Sequence, residues 1–104
     1  MKMITALAIT LLNFNLSAAD VVRGEIISVS CKGCHGVSGI TNKGRHPNLA
    51  GQNAVYIVSQ MKLYREGKRD FHVMNEIAAH LSDQDIEDIA AYYAGLKESY
   101  CSAE

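Results

Sequence analysis

The residues best equipped for chemistry stand together at Cys31-Lys32-Gly33-Cys34-His35. Two cysteines three positions apart on a helical turn point to the same side. Their sulfurs can then form thioether bonds to the two vinyl groups along one porphyrin edge, and His35, next in line, can set its imidazole under the iron. C-x-x-C-H is the pattern of a c-type haem attachment site. Two other chemistries use the same residue types. A dithiol redox pair belongs near a βαβ pattern, and this sequence shows no sustained period-2 alternation. A zinc ion could take Cys31, Cys34 and His35 with a distant His46, His72, His80 or Cys101. Structural zinc sites usually offer two well-spaced pairs, and the second pair is missing. The expected cofactor is one haem, held covalently through Cys31 and Cys34 with His35 on its iron.

A second protein ligand to that iron must come from elsewhere. The four methionines are Met1, Met3, Met61 and Met74. The first two belong to an N-terminal stretch read below as a leader. Met61 falls on the apolar face of a predicted helix, which is a core position. Met74 lies in a short segment between two predicted helices, where a loop can carry sulfur to iron. His72 and His80 flank it and offer imidazole instead.

The elements that position these groups read as helices joined by one long loop. Val21 to Ser30 is a short helix, with Val22, Ile26 and Val29 on one side, Ile27 beside them, and Gly24 interrupting it. Gly36 to Gln52 is rich in glycine and includes the single proline, Pro47; so long a loop in a compact domain is usually functional. Ala54 to Glu66 follows as a helix with Ile57, Met61 and Tyr64 on one face and Gly67 as its stop. Leu81 to Leu96 is the clearest helix: Ser82 caps it, Asp83 and Asp85 suit its first turn, and Ile86, Ile89, Ala90 and Tyr93 share a face.

Residues 1–19 read as a secretory leader. Lys2 is the positive start, Ile4 to Leu12 the apolar stretch, and Ser17-Ala18-Ala19 supplies small residues for cleavage before Asp20. A membrane span needs about 20 apolar residues, and Asn13 and Asn15 interrupt this one. The working domain is then 20–104, which is small for a self-sufficient core. The whole chain of 104 residues is 48% hydrophobic and 20% charged with a formal charge of −1. That length excludes a multidomain enzyme or a doubly wound α/β fold, and the charge argues against a nucleic-acid binder. Charge is uneven: residues 20–69 carry a net +5 and residues 70–104 a net −7. By default such runs are solvated helix faces. Cys101, near the C-terminus, reads as a tail residue, either a free thiol or one side of an intermolecular disulfide.

From Gly24 to Leu96 the chain resembles a class I cytochrome c of the small bacterial mono-haem kind, and it is similar to one half of the two-domain di-haem cytochromes c. The residues that carry the resemblance are Gly24 ahead of Cys31, the motif through Gly36, Pro47-Asn48-Leu49-Ala50-Gly51-Gln52, Tyr56 with Gln60, Arg65 and Gly67, Met74, and Leu81-Ser82-Asp83 through Ile86 to Ala91-Tyr92-Tyr93. The resemblance implies an all-α cytochrome c fold of three to four helices around one haem, with the Gly-rich loop wrapped over it. It implies that the first and last helices cross at Gly24 against Tyr92 or Tyr93. It also implies that the Pro47 carbonyl accepts from the second ring nitrogen of His35, and that Met74 is the distal iron ligand. Lys32, Lys43 and Arg45, with Lys62 and Lys68, would rim the exposed haem edge, and Arg65 or Arg69 would balance a propionate.

A six-coordinate iron leaves no open site for substrate, so the expected function is electron transfer and not catalysis. The chain would shuttle one electron in the periplasm, as a monomer or weak dimer. Its partners would be a respiratory complex or dehydrogenase on one side and a terminal oxidase or reductase on the other. The alternatives are a dedicated haem subunit of a periplasmic oxidoreductase, and a haem sensor or peroxidase-like protein in which Met74 is displaced.

Overall fold

The computed structural model describes residues 2–10 and 18–96. Part of the leader and Cys101 lie outside the described residues. Among those described there is no strand, and there are five helices: α1 Val21–Ile27, α2 Val29–His35, α3 Ala54–Arg65, α4 His72–Ala79 and α5 Asp83–Gly95. The count exceeds the expected three to four for two reasons. The first helix is broken at Ser28 and continues as α2 through the cysteine motif, and a helix stands where a short connecting segment was expected around Met74.

Packing follows from a few contacts. α1 lies across α5, and α3 bridges α5 and α4. The α1–α5 crossing depends on Gly24: a Cβ built there would lie 2.0 Å from the Asp88 carbonyl oxygen and 3.0 Å from Tyr92 Cβ. Only a residue without a side chain allows the two backbones so close. The buried stripe of α1–α2 is consequently Gly24, Ser28 and Cys31. The apolar side read from the sequence points outward instead, with Val22, Ile26 and Val29 all about two-thirds exposed at 68%, 66% and 71%. Close approach through a glycine outweighs the burial of three aliphatic side chains.

α5 forms the spine of the core. Ile86, Ile89, Ala90, Tyr92 and Tyr93 are buried on it, packed with Ile57 and Met61 of α3 and Ala78 of α4. Its N-terminus carries a complete capping box: Ser82 Oγ accepts from Asp85 N–H, and the Asp85 carboxylate accepts from Ser82 N–H. Such caps contribute about 1 kcal/mol. Ser82→Ala is therefore expected to lower the melting temperature by roughly 4–8 °C without changing the visible spectrum, as followed by circular dichroism and absorbance on one sample.

Residues 36–53 connect α2 to α3 without regular structure. The segment is nonetheless pinned. The Gly39 carbonyl accepts from Leu49 and Ala50 N–H at 2.8 and 3.0 Å, Asn48 Oδ1 accepts from Thr41 N–H at 2.7 Å, and Gly51 N–H reaches the Tyr93 carbonyl at 2.9 Å. Gly39 holds φ +78°, where a side chain is strained, and a Cβ there would crowd Ala50 and the Tyr93 ring.

Candidate functional site

One cavity of about 430 Å³ lies between the loop, α3, α4 and α5, and Cys31, Cys34, His35 and Met74 all line it. Cofactor sites are typically about 300–1,000 Å³ and mostly apolar. Here Leu49, Ile57, Met61, Ile77 and Ile89 supply apolar walls.

α2 places the motif. Cys31 is buried and Cys34 half-buried, and His35 is the last helical residue, 7% exposed. Burial pushes the Cys31 thiol upward in pKa. Among the described residues, no three His, Cys, Asp or Glu side chains gather as a metal-holding group.

The loop places the imidazole. His35 Nδ1 lies 2.8 Å from the Pro47 carbonyl oxygen. A carbonyl only accepts, so Nδ1 carries the hydrogen and Nε2 keeps its lone pair. This is the tautomer a metal ligand needs, and a fixed partner on the second nitrogen also sets the ring angle. His46 stands edge-on to His35, with ring centroids 6.0 Å apart.

α4 places Met74, which is half-buried. The next residue, Asn75, fixes the start of that helix. Its side chain accepts from Phe71 N–H at 2.9 Å and donates to the carbonyls of Tyr64 and Arg69, both at 2.8 Å. Sequence reasoning passed over Asn75. The signal was an asparagine after the chain leaves α3, a residue type that ties turns through its own side chain. His72 and His80, the competing ligands, line a separate shallow groove with Asn75, Glu76 and Ala79 and not the main cavity. Met61 is buried in the core and also lines the cavity wall.

The two arginines also separate. Arg65 is committed to Asp83 and to the Leu81 carbonyl. Arg69 lines the cavity, stacked 4.7 Å over the Tyr64 ring and donating to Gln60 at 2.7 Å. Of the expected rim, Arg45 lines the cavity. Lys43 Nζ donates to the Gly33 carbonyl at 3.1 Å, Lys32 Nζ sits 5.9 Å from the Tyr92 ring centroid, and Lys68 pairs with Glu66.

A direct test of fit is the Tyr93 hydroxyl. It is fully buried, belongs to a residue of the cavity wall, and makes no hydrogen bond within the protein. Burial pushes its ionisation well above the usual tyrosine range, with Cys31 and Ser28 as polar neighbours. Buried hydroxyls are normally paired. Two cysteine sulfurs, an imidazole with a free lone pair, a thioether and an orphaned hydroxyl around one apolar cavity suit a haem.

Residues 21–97 match the sequence profile of the cytochrome c family. The chain belongs to that family. Its cofactor is accordingly one haem c, attached covalently. This cytochrome c is 37% identical to cytochrome c4 of Pseudomonas aeruginosa, over 99% of this chain and 52% of that protein. It is 44% identical to cytochrome c-554(548) of Halomonas halodenitrificans, over 74% of this chain and 96% of that one. Among solved structures, thiosulfate dehydrogenase of Marichromatium purpuratum superposes with a TM-score of 0.73 and 25% identity, over 85% of this chain and 22% of that chain. The chain thus spans about half the length of the cytochrome c4 it matches. No described helix of this cytochrome c is long and apolar enough to cross a membrane.

Proposed function

We propose that this chain is an exported one-electron carrier, with Cys31 and Cys34 as the thioether attachment points and His35 and Met74 as the two axial ligands. The carrying observation is that a single cavity gathers these four residues from α2 and α4. Haem c, when bound, supplies a reversible ferric/ferrous couple. The chain's own residues decide what that couple is used for. The Pro47 carbonyl orients His35. Met74 is a soft, neutral donor that favours the ferrous state and raises the potential. The apolar walls act in the same direction, because the ferric form carries one more positive charge and burying charge is costly. Arg69, on the cavity lining, would balance a propionate.

With His35 and Met74 both holding the iron, no open position would remain for a substrate, and the chain would act as a carrier and not an enzyme. Residues 1–19 direct export and are removed before Asp20, so that 20–104 works in the periplasm with other redox proteins. A second reading is a haem subunit serving a partner oxidoreductase. It is supported by the superposition on part of a thiosulfate dehydrogenase chain.

Visible spectra of the purified protein in both oxidation states, with carbon monoxide added to the reduced form at neutral pH, test the proposal. A six-coordinate spectrum unchanged by the gas is expected. Rapid carbon monoxide uptake by the native protein would overturn Met74 ligation and favour a sensor or peroxidase-like role. Co-purification of a second chain through a fixed apolar interface would favour the subunit reading.

A further inference from the structure

Outside the cavity lining, the α1–α5 crossing holds a cluster of charges that the proposed electron transfer does not use. Asp88, on α5, is 0% exposed. Its Oδ1 accepts from the backbone nitrogen of Asp20 and from Gln84 Nε2, each at 2.8 Å, and its Oδ2 accepts from Arg23 Nη1 at 2.8 Å. Arg23 spends its other terminal nitrogen on Asp85. The Asp20 side chain caps α1 through Arg23 N–H. Burial alone would push the Asp88 carboxyl up, yet the bonds from Asp20, Arg23 and Gln84 outweigh it and hold it below its usual value. The carboxylate is therefore ionised. The cluster contains the carboxylates of Asp20 and, from α5, Asp85 and Asp88, against the single guanidinium of Arg23. A buried anion in surroundings that are net negative is short of positive charge.

The nitrogen that donates to Asp88 belongs to the Ala19–Asp20 peptide bond, which is also the bond proposed above to be cut. Ala18, Ala19 and Asp20 are exposed and lie outside any helix, so a peptidase can reach them. Hydrolysis there takes up one water, leaves a carboxylate on Ala19 and frees the amine of Asp20, which gains a proton at neutral pH. We propose that the mature Asp20 α-ammonium is the second cation of the Asp88 site, so that removal of the leader turns a neutral hydrogen bond into a part-buried ion pair and clamps α1 onto α5. The inference rests on the processing reading and deepens it. No movement is required, because the nitrogen already sits 2.8 Å from the carboxylate oxygen.

The pH dependence has a definite sign. A free α-amine titrates at about 7.7–8.0, and an anionic partner raises the folded value. The added stability is complete below about pH 8 and is lost as the pH rises through the raised folded value.

The test uses the exported, haem-loaded protein. Its intact mass is read first, and a chain that begins anywhere but Asp20 would overturn the processing reading and this inference with it. Amine-reactive labelling of the N-terminus is then followed against pH. A labelling midpoint at least one unit above the ordinary value of about 8 is expected, falling back toward it in Asp88→Asn. A variant with Gly-Ser inserted between Ala19 and Asp20 returns that nitrogen to a neutral amide. It should melt about 5 °C lower than the native protein at pH 7, with the gap closing at high pH and nearly absent in the Asp88→Asn background. A chain that begins at Asp20 but labels with an ordinary midpoint would overturn the ion pair and leave the processing reading standing. The labelling midpoint needs only the native protein, so it decides the matter even where a variant fails to fold.

Discussion

Met74→Ala is expected to produce the largest functional change. Met74 lines the same cavity as the motif, and Asn75 beside it ties α4 to the end of α3. Alanine removes the thioether and leaves the fold of α4 intact, since alanine is the best helix former. Axial ligands set haem potentials over a range of about 0.8 V, and loss of this sulfur should lower the potential by a measurable fraction of that range. The reduced variant should also take up carbon monoxide, which the native protein excludes. Three controls bound the claim. His72→Ala and His80→Ala should change neither property, because both histidines line the outer groove. Met61→Ala should keep the native axial spectrum while costing about 2–5 kcal/mol of stability, as expected for a buried side chain. Potentiometric titration and gas addition to the four variants provide the measurements. A native-like potential in Met74→Ala, with a changed one in His72→Ala, would move the ligand to His72.

Gly24→Ala should be the most damaging substitution away from the cavity. Two effects oppose each other. Replacing glycine by alanine inside a helix favours folding by about 1 kcal/mol. Against this, the added methyl would sit 2.0 Å from the Asp88 carbonyl oxygen and 2.6 Å from its carbon. Both atoms are backbone within α5, so relief requires the helices to separate. Overpacking a buried site costs about 1–3 kcal/mol and sometimes more, and here the separation also pulls apart the Asp88 cluster. We expect a net loss of about 2 kcal/mol, or roughly 8–16 °C in melting temperature at 4–8 °C per kcal/mol. Thermal unfolding of the haem-loaded variant followed by circular dichroism checks this. An unchanged melting temperature would show that the crossing does not hold the fold.

Some of this architecture could be read directly from the residues. The motif was legible because its chemistry is local: covalent spacing fixes where two thiols and an imidazole point. α5 was legible because Ile86, Ile89, Ala90 and Tyr93 repeat with helical period and Ser82 marks the start. The α1 face was not. Its buried stripe, Gly24 and Ser28, carries no hydrophobic signal, while the visible aliphatic stripe of Val22, Ile26 and Val29 faces outward. α4 was also hidden. It is eight residues long and begins at Phe71 without a side-chain cap, so neither periodicity nor a start signal announces it, and tertiary contact with α3 stabilises it instead. Asp88 was grouped with the acidic residues of a solvated face. Its burial depends on Arg23 and Asp20, more than 60 positions away, and no local pattern carries such a partner.

The central claim is that residues 31 and 34 hold a covalently attached porphyrin in the exported chain. Intact mass under denaturing conditions tests it most directly. The expected product is a coloured polypeptide of residues 20–104 carrying the added mass of one haem, and a colourless chain without it when Cys31 and Cys34 are both changed to serine. A natively exported protein with the mass of the bare polypeptide would contradict it.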